Sequence, residues 1–156
     1  MYHKIINTLK AYHKALKQEF ILNRQIFYLR DAQTSIQINI DGMPKGTNLK
    51  TYADYMVQLE SLEGRKEDII IQKLESYNVN RNLIERIEDE VQKNILDFRY
   101  MYHRIEQKDK DSPAFVSFLS WYEISQMVGY SEPYVKYMHS RAIEELERTQ
   151  NLQNQL

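Results

Sequence analysis

No glycine or proline occurs in this chain before Gly42. A stretch that long without either residue contains nothing to interrupt a helix. Within it Ile5, Leu9, Tyr12, Leu16 and Phe20 recur at spacings of three and four, which aligns them along one side of a helix. The pattern predicts a helix from about residue 3 to about residue 32, fading in the polar stretch after Asp31. Asp41-Gly42, Met43-Pro44-Lys45-Gly46 and Asn48 then crowd three turn signals into residues 33–48, a loop in which the chain reverses.

A second stripe, Leu49, Tyr52, Met56, Leu59, Leu62, Ile70, Leu74 and Tyr77, predicts a helix to about residue 77. Gly64 weakens it by about 1 kcal/mol relative to alanine. Asn78-Val79-Asn80 reads as a break. Leu83, Ile84, Ile87, Val91, Ile95, Phe98 and Tyr102 then carry a third helix to about residue 105. No segment alternates with period two for long enough to predict a sheet. Four Gly and three Pro in 156 residues leave little for turns. The expected fold class is therefore all-α: a long-helix, coiled-coil-like stalk followed by a C-terminal helix-turn-helix domain.

Composition narrows the function classes. Apolar residues are 42% of the chain, enough for a core, and charged residues are 28%. There is no cysteine, so neither a disulfide framework nor a thiolate site is available. No apolar run approaches the roughly 20 residues that span a bilayer, so no membrane association is expected. Met1-Tyr2-His3-Lys4 leads into amphipathic sequence, unlike a signal peptide. These features predict a cytoplasmic protein.

The net charge of -1 conceals an uneven distribution. Residues 1–30 carry six bases, Lys4, Lys10, Lys14, Lys17, Arg24 and Arg30, against one acid, Glu19. Residues 49–77 carry four bases against six acids. Either the first helix is a basic arm for nucleic acid, or two antiparallel helices pair their opposite charges.

The boundary between stalk and C-terminal domain is expected at about residue 110, within the charged run Gln107 to Asp111. Residues 1–110 form the helical oligomerisation segment, 111–149 the second domain, and 150–156 a polar tail. Ser112-Pro113 has the order of an N-cap and first helical residue, and the apolar run Ala114 to Leu119 should pack beneath the residues C-terminal to it.

Residues 120–147 carry the functional inference. Ser120 and Glu123 have the spacing of a capping box. Gly129 suits the left-handed residue that ends a short helix, and Ser131 caps a second helix that opens with Glu132 and Pro133. A helix-turn-helix needs a small residue where its helices touch, a glycine in the turn and apolar residues at the crossing. Ser125, Gly129, and the set Ile124, Val128, Tyr130, Val135 and Met138 meet those needs. An ordinary helical hairpin with a glycine turn is the plainer alternative. On a helical wheel Val135, Met138, His139, Ala142 and Leu146 face the core, while Pro133, Tyr134, Lys136, Tyr137, Ser140 and Arg141 lie on or beside the other side. With Ser131 these are the candidate DNA-binding residues, able to neutralise phosphates and reach base edges. Glu132 fits a favoured helix start better than a base contact, and His139 a core or cap position.

The segments Ile95 to Tyr100, Ser120 to Ser125, Gly129-Tyr130-Ser131 and His139 to Ile143 resemble the C-terminal region of sigma factors. They resemble more closely the small phage-encoded transcriptional regulators of Gram-positive bacteria related to the ArpU and RinA late-gene activators, which also begin with a long helical segment and often carry a Met-Pro-Lys-Gly loop. Residues 101–119 separate the first two segments here, where the family usually has a few residues. The resemblance implies control of phage or mobile-element genes in a bacterial host through double-stranded DNA, with a contact to RNA polymerase conceivable.

No chemistry-bearing constellation stands out. His3, His13, His103 and His139 have no metal-ligand spacing, no glycine-rich phosphate loop is present, and the twelve tyrosines fall mostly at packing positions. No enzyme activity, cofactor or metal is expected. Three functions are compatible with the sequence: a transcription regulator acting as a homodimer through residues 1–77, a small-terminase-like phage DNA-packaging protein, and a helical protein-interaction adaptor. The near-neutral C-terminal segment favours the adaptor, since DNA-binding surfaces are usually basic.

Overall fold

A computed structural model describes residues 2–39, 52–111 and 114–155. Among them are five helices, α1 (Tyr2–Asn39), α2 (Tyr52–Glu85), α3 (Glu90–Tyr100), α4 (Trp121–Val128) and α5 (Glu132–Gln153), and two strands, β1 (His103–Glu106) and β2 (Phe115–Phe118). The protein is mostly helical, and none of the described helices is long and apolar enough to cross a membrane. The expected Met43–Gly46 loop and the Ser112-Pro113 cap lie outside the described residues.

Helices α1 and α2 pack antiparallel. Arg30 meets Glu63 near one end, Lys73 meets Glu19 in the middle, and Asn80 meets Leu9 near the other. Leu22 and Ile26 are buried along this seam. The pairing of Arg30 with Glu63 joins the basic first helix to the acidic second. Lys73 with Glu19 joins them with the opposite polarity, so charge asymmetry alone does not describe the match.

The break expected at Asn78-Val79-Asn80 does not occur, and α2 continues to Glu85. Asparagine has modest helix propensity, but burial against α1 decides this position. The Asn80 amide is fully buried and donates to the Leu9 carbonyl at 2.9 Å. Helix α2 ends one turn later, where Arg86 and Ile87 donate to the Leu83 and Ile84 carbonyls in tight 3₁₀-type bonds. Asp89 then caps α3 by accepting from the Gln92 amide at 2.8 Å. Helix α1 is also longer than its stripe, reaching Asn39.

The second departure is a sheet. β1 and β2 pair antiparallel, with His103 opposite Phe118 and Glu106 opposite Phe115. Each strand has four residues, too few to display a period. Ile105, Phe115, Val116 and Phe118 are good strand formers. The apolar run at 114–119 is thus a strand whose last neighbour, Leu119, is buried.

Two apolar clusters hold the rest. Ile5, Leu9 and Tyr12 of α1, Leu83 and Ile84 of α2, Leu96 and Tyr100 of α3, and Ala142, Ile143 and Leu146 of α5 share one core. Ile95, Leu119, Ile124, Val135 and Met138 form the other. Burying a single Leu or Ile side chain contributes about 1.5–3 kcal/mol, so residues on both sides of position 110 stabilise one another directly. Residues 150–153, expected as polar tail, continue α5, and the Gln153 side-chain oxygen accepts from Arg86 at 3.2 Å.

Candidate nucleic-acid interface

The turn between α4 and α5 is built by local chemistry. Ser120 accepts from the Glu123 amide at 3.2 Å, while the Glu123 carboxylate accepts from the Ser120 amide at 2.7 Å. This reciprocal cap starts α4 where the sequence places it. Glu123 also pairs with Arg104 of β1, which ties the sheet to the start of α4. Its carboxyl is held below the ordinary range, first by the Ser120 backbone amide and then by Arg104.

Gly129 ends α4 with φ 77° and ψ 25°. A side chain in that left-handed region strains the backbone, which is why glycine stands there. Gly129 and Tyr130 amides both donate to the Ser125 carbonyl, at 3.0 and 3.2 Å. Ser131 then caps α5 by accepting from the Tyr134 amide at 3.4 Å, and Pro133 occupies the first turn where no intrahelical N–H is required.

Ser125 is buried, and its hydroxyl donates to the Tyr122 carbonyl at 2.6 Å. Ile124, Val135 and Met138 are buried at the crossing with Val128 packed against them. Tyr130, expected among these locking residues, is instead exposed. Its ring lies 4.9 Å from Tyr134, which lies 6.3 Å from Tyr137. A phenol at that turn reaches water more readily than the small crossing can accommodate it. The three rings therefore form a ladder along the outside of α5.

The structure brings Ser131, Pro133, Tyr134, Lys136, Tyr137 and Arg141 to the outer side of the turn and α5, all of them exposed, while Ser140 is half-buried. The charges among them are not isolated. Lys136 pairs with Glu132 at 2.9 Å and Arg141 with Glu144 at 3.6 Å, both along the helix. Exposed pairs of this kind are worth well under about 1 kcal/mol, so a stronger anion displaces the carboxylate readily. The Ser140 hydroxyl donates back to the Lys136 carbonyl at 3.1 Å.

Compared with family models, with curated proteins and with solved structures, the chain matches none. The geometry therefore carries the functional argument alone.

The core side of α5 bears the other half of the site. His139 is buried, and its Nε2 lies 2.7 Å from the Tyr100 hydroxyl. Its ring meets Trp121 edge-on at 4.8 Å, and the Arg99 guanidinium sits 4.2 Å over that same indole while donating to the Leu119 carbonyl at 2.9 Å. Burial, followed by the nearby Arg99 and Lys10 charges, lowers the His139 pKa to about 4. A neutral ring locked in this way fits the core role read from the wheel.

Lys10 and Arg99 also belong to this surface. With Lys136, Ser140 and Trp121 they line a cavity of about 300 Å³ between α1 and α5. Composition alone presents the basic residues of the first helix as one group. Lys10, Lys14 and Lys17 are spaced four and three apart, which places them on one face, and that spacing is the signal the sequence offers.

Proposed function

We propose that the protein is a sequence-specific DNA-binding regulator of transcription that reads the major groove with α5. The observation that supports this reading is the left-handed Gly129 turn between two capped helices. It buries Val135 and Met138 while leaving Ser131, Pro133, Tyr134, Lys136, Tyr137 and Arg141 outward. In this reading α4 and α5 form a helix-turn-helix, Lys136 and the tyrosines approach base edges, and Arg141, two turns further on, reaches phosphate. The α1–α2 pair serves as the oligomerisation stalk of a homodimer. Ile21, Phe27, Val57, Ile71 and Leu74 remain exposed along it, a large apolar allotment for solvent to cover. The resemblance to sigma-like phage regulators supplies the proposed setting: phage or mobile-element genes, a bacterial cytoplasm and a contact to RNA polymerase.

Selection of bound sequences from a random duplex library, followed by fluorescence titration, tests the reading. Enrichment of a common half-site, and its repetition about 34 Å apart or at multiples, is the expected result for a two-fold protein. Failure to enrich any sequence at low salt overturns it. One observation favours a protein-interaction adaptor instead: the outer face of α5 balances its cations with Glu132 and Glu144, and displays aromatic rings. Retention of full function by Lys136→Ala and Arg141→Ala variants would move the adaptor into first place.

A further inference from the structure

The outward residues of α5 fall into a row. At about 100° per residue Pro133, Tyr137 and Ser140 lie opposite the buried Val135 and Ala142. Tyr134 and Arg141 flank that row on one side, and Lys136 flanks it on the other. Pro133 is exposed, as are Tyr137 at 57% and Tyr134 at 41%. The middle of the face is thus a pyrrolidine and a phenol ring, with a second phenol beside them.

The polar groups that ordinarily tell bases apart are missing or engaged on this face. Asparagine and glutamine, which read adenine through paired hydrogen bonds, do not occur between Ser131 and Thr149. Glu132 holds the Lys136 ammonium at 2.9 Å, and the Ser140 hydroxyl donates to the Lys136 carbonyl at 3.1 Å. Arg141, the first arginine of α5, lies two turns in and faces Glu144 at 3.6 Å. The tyrosines differ. Among the described residues no hydrogen bond or ion pair engages the side chain of Tyr134 or Tyr137. Their rings meet only tyrosines, Tyr134 with Tyr130 at 4.9 Å and with Tyr137 at 6.3 Å. Neighbours on both sides restrain the Tyr134 ring, so little rotamer freedom is lost when a ligand covers it.

An apolar reading face selects the one apolar group that base pairs display in the major groove, the C5-methyl of thymine. We infer that the rings of Pro133 and Tyr137 pack on thymine methyl groups, so that thymines define the half-site. This inference rests on the groove-reading role proposed for α5. Pro133 and Tyr137 are one helical turn apart, about 6 Å at 1.5 Å per residue. That distance spans about two base pairs at roughly 3.4 Å each, which places two thymines within reach of the row. Tyr134 widens the apolar surface on its flank, and Lys136 adds a single polar contact from the other. Cytosine at the same positions pairs with guanine, lacks the methyl and offers the rings nothing to cover.

Fluorescence titration of the full chain with duplexes of the enriched sequence, carrying thymine or uracil at each thymine position, tests it. Uracil pairs as thymine does and lacks only the methyl group. Each contacted methyl should contribute about fourfold in affinity, so replacing two together should weaken binding about fifteenfold. Replacement outside the half-site should change nothing. Tyr137→Ala should lose the preference for thymine at one position, whereas Tyr137→Phe, which keeps the ring, should retain it. Lys136→Ala should weaken binding to both duplexes and leave their ratio as it was. Tyr137 is exposed, so its variants should keep the unfolding midpoint of the parent chain. Equal affinity for the thymine and uracil duplexes, or an enriched half-site without thymine, overturns the inference and leaves groove reading by α5 standing. A full thymine preference in Tyr137→Ala overturns the role of that ring. Failure to enrich any sequence removes the groove reading itself, and this inference with it.

Discussion

The Tyr100 hydroxyl lies 2.7 Å from Nε2 of His139, and this buried contact joins α3 to α5. With the His139 ring neutral, the ring tautomer sets which of the two donates, and in either tautomer the phenol hydroxyl is the partner of Nε2. Tyr100→Phe removes the hydroxyl and leaves that nitrogen without this partner. The expected loss is about 1–3 kcal/mol of unfolding free energy, measured by urea titration. An unchanged midpoint and slope would show that water replaces the phenol.

Acid should destabilise the fold over a defined window. Burial lowers the pKa of both His13 and His139 from 6.5 to about 4, with His103 and Arg99 adding to the effect at His13 and Arg99 and Lys10 at His139. Below pH 6.5 the unfolded chain takes up protons that the folded chain refuses, so stability falls as pH falls and levels off below about pH 4. Each ring accounts for a loss of up to about 3 kcal/mol across that window. Denaturation midpoints measured from pH 7.5 to pH 4.5 check this. A flat profile would place both rings in contact with solvent.

Gly129→Val should destabilise the protein by about 1–3 kcal/mol, because a β-branched residue is forced to a positive φ. No neighbouring atom lies within 4 Å of the added Cβ, so the cost is conformational rather than a clash. Gly129→Asn, whose side chain tolerates that region, should lose much less. Thermal unfolding of the two variants side by side separates strain from crowding. Equal losses would implicate crowding.

On DNA, Lys136→Ala should cost about 1–3 kcal/mol and relax specificity at one base position. Arg141→Ala should weaken all duplexes alike and reduce the salt slope by about one unit. Because Glu132 holds Lys136 at 2.9 Å, Glu132→Gln should strengthen binding to random sequence. Titrations at several salt concentrations distinguish these outcomes. Equal and negligible effects of the two cation variants would exclude α5 as a groove-reading helix.

The short elements with explicit end signals are the most legible in the sequence. Ser120, Glu123, Gly129 and Ser131 act through bonds within a few residues, so their pattern survives without tertiary information. Asn80 misleads because a distant carbonyl on Leu9 decides its role. The β-hairpin leaves little trace because four-residue strands carry almost no periodicity, although it occupies much of the long gap between Tyr100 and Ser120. The motif places Tyr130 inward, whereas its size and hydroxyl turn it towards Tyr134 at the surface. Of the basic residues in α1, those with partners on α2 and those lining the cavity against α5 differ only in which neighbours the fold brings near. No property of the individual lysines or arginines distinguishes them.

Helix α2 extends about 50 Å from Tyr52 to Glu85 at 1.5 Å per residue, and its last turn is embedded in the core that also holds Ala142, Ile143 and Leu146 of α5. That arrangement makes α1 and α2 an arm with its fulcrum against the core-facing side of α5. A tilt of about 5° at the fulcrum sweeps the Tyr52 end through about 4 Å, by the same helix geometry. Leverage also runs the other way. A force applied at the far end would be passed to α5 through Leu83, Ile84 and Ile143, which share one buried core.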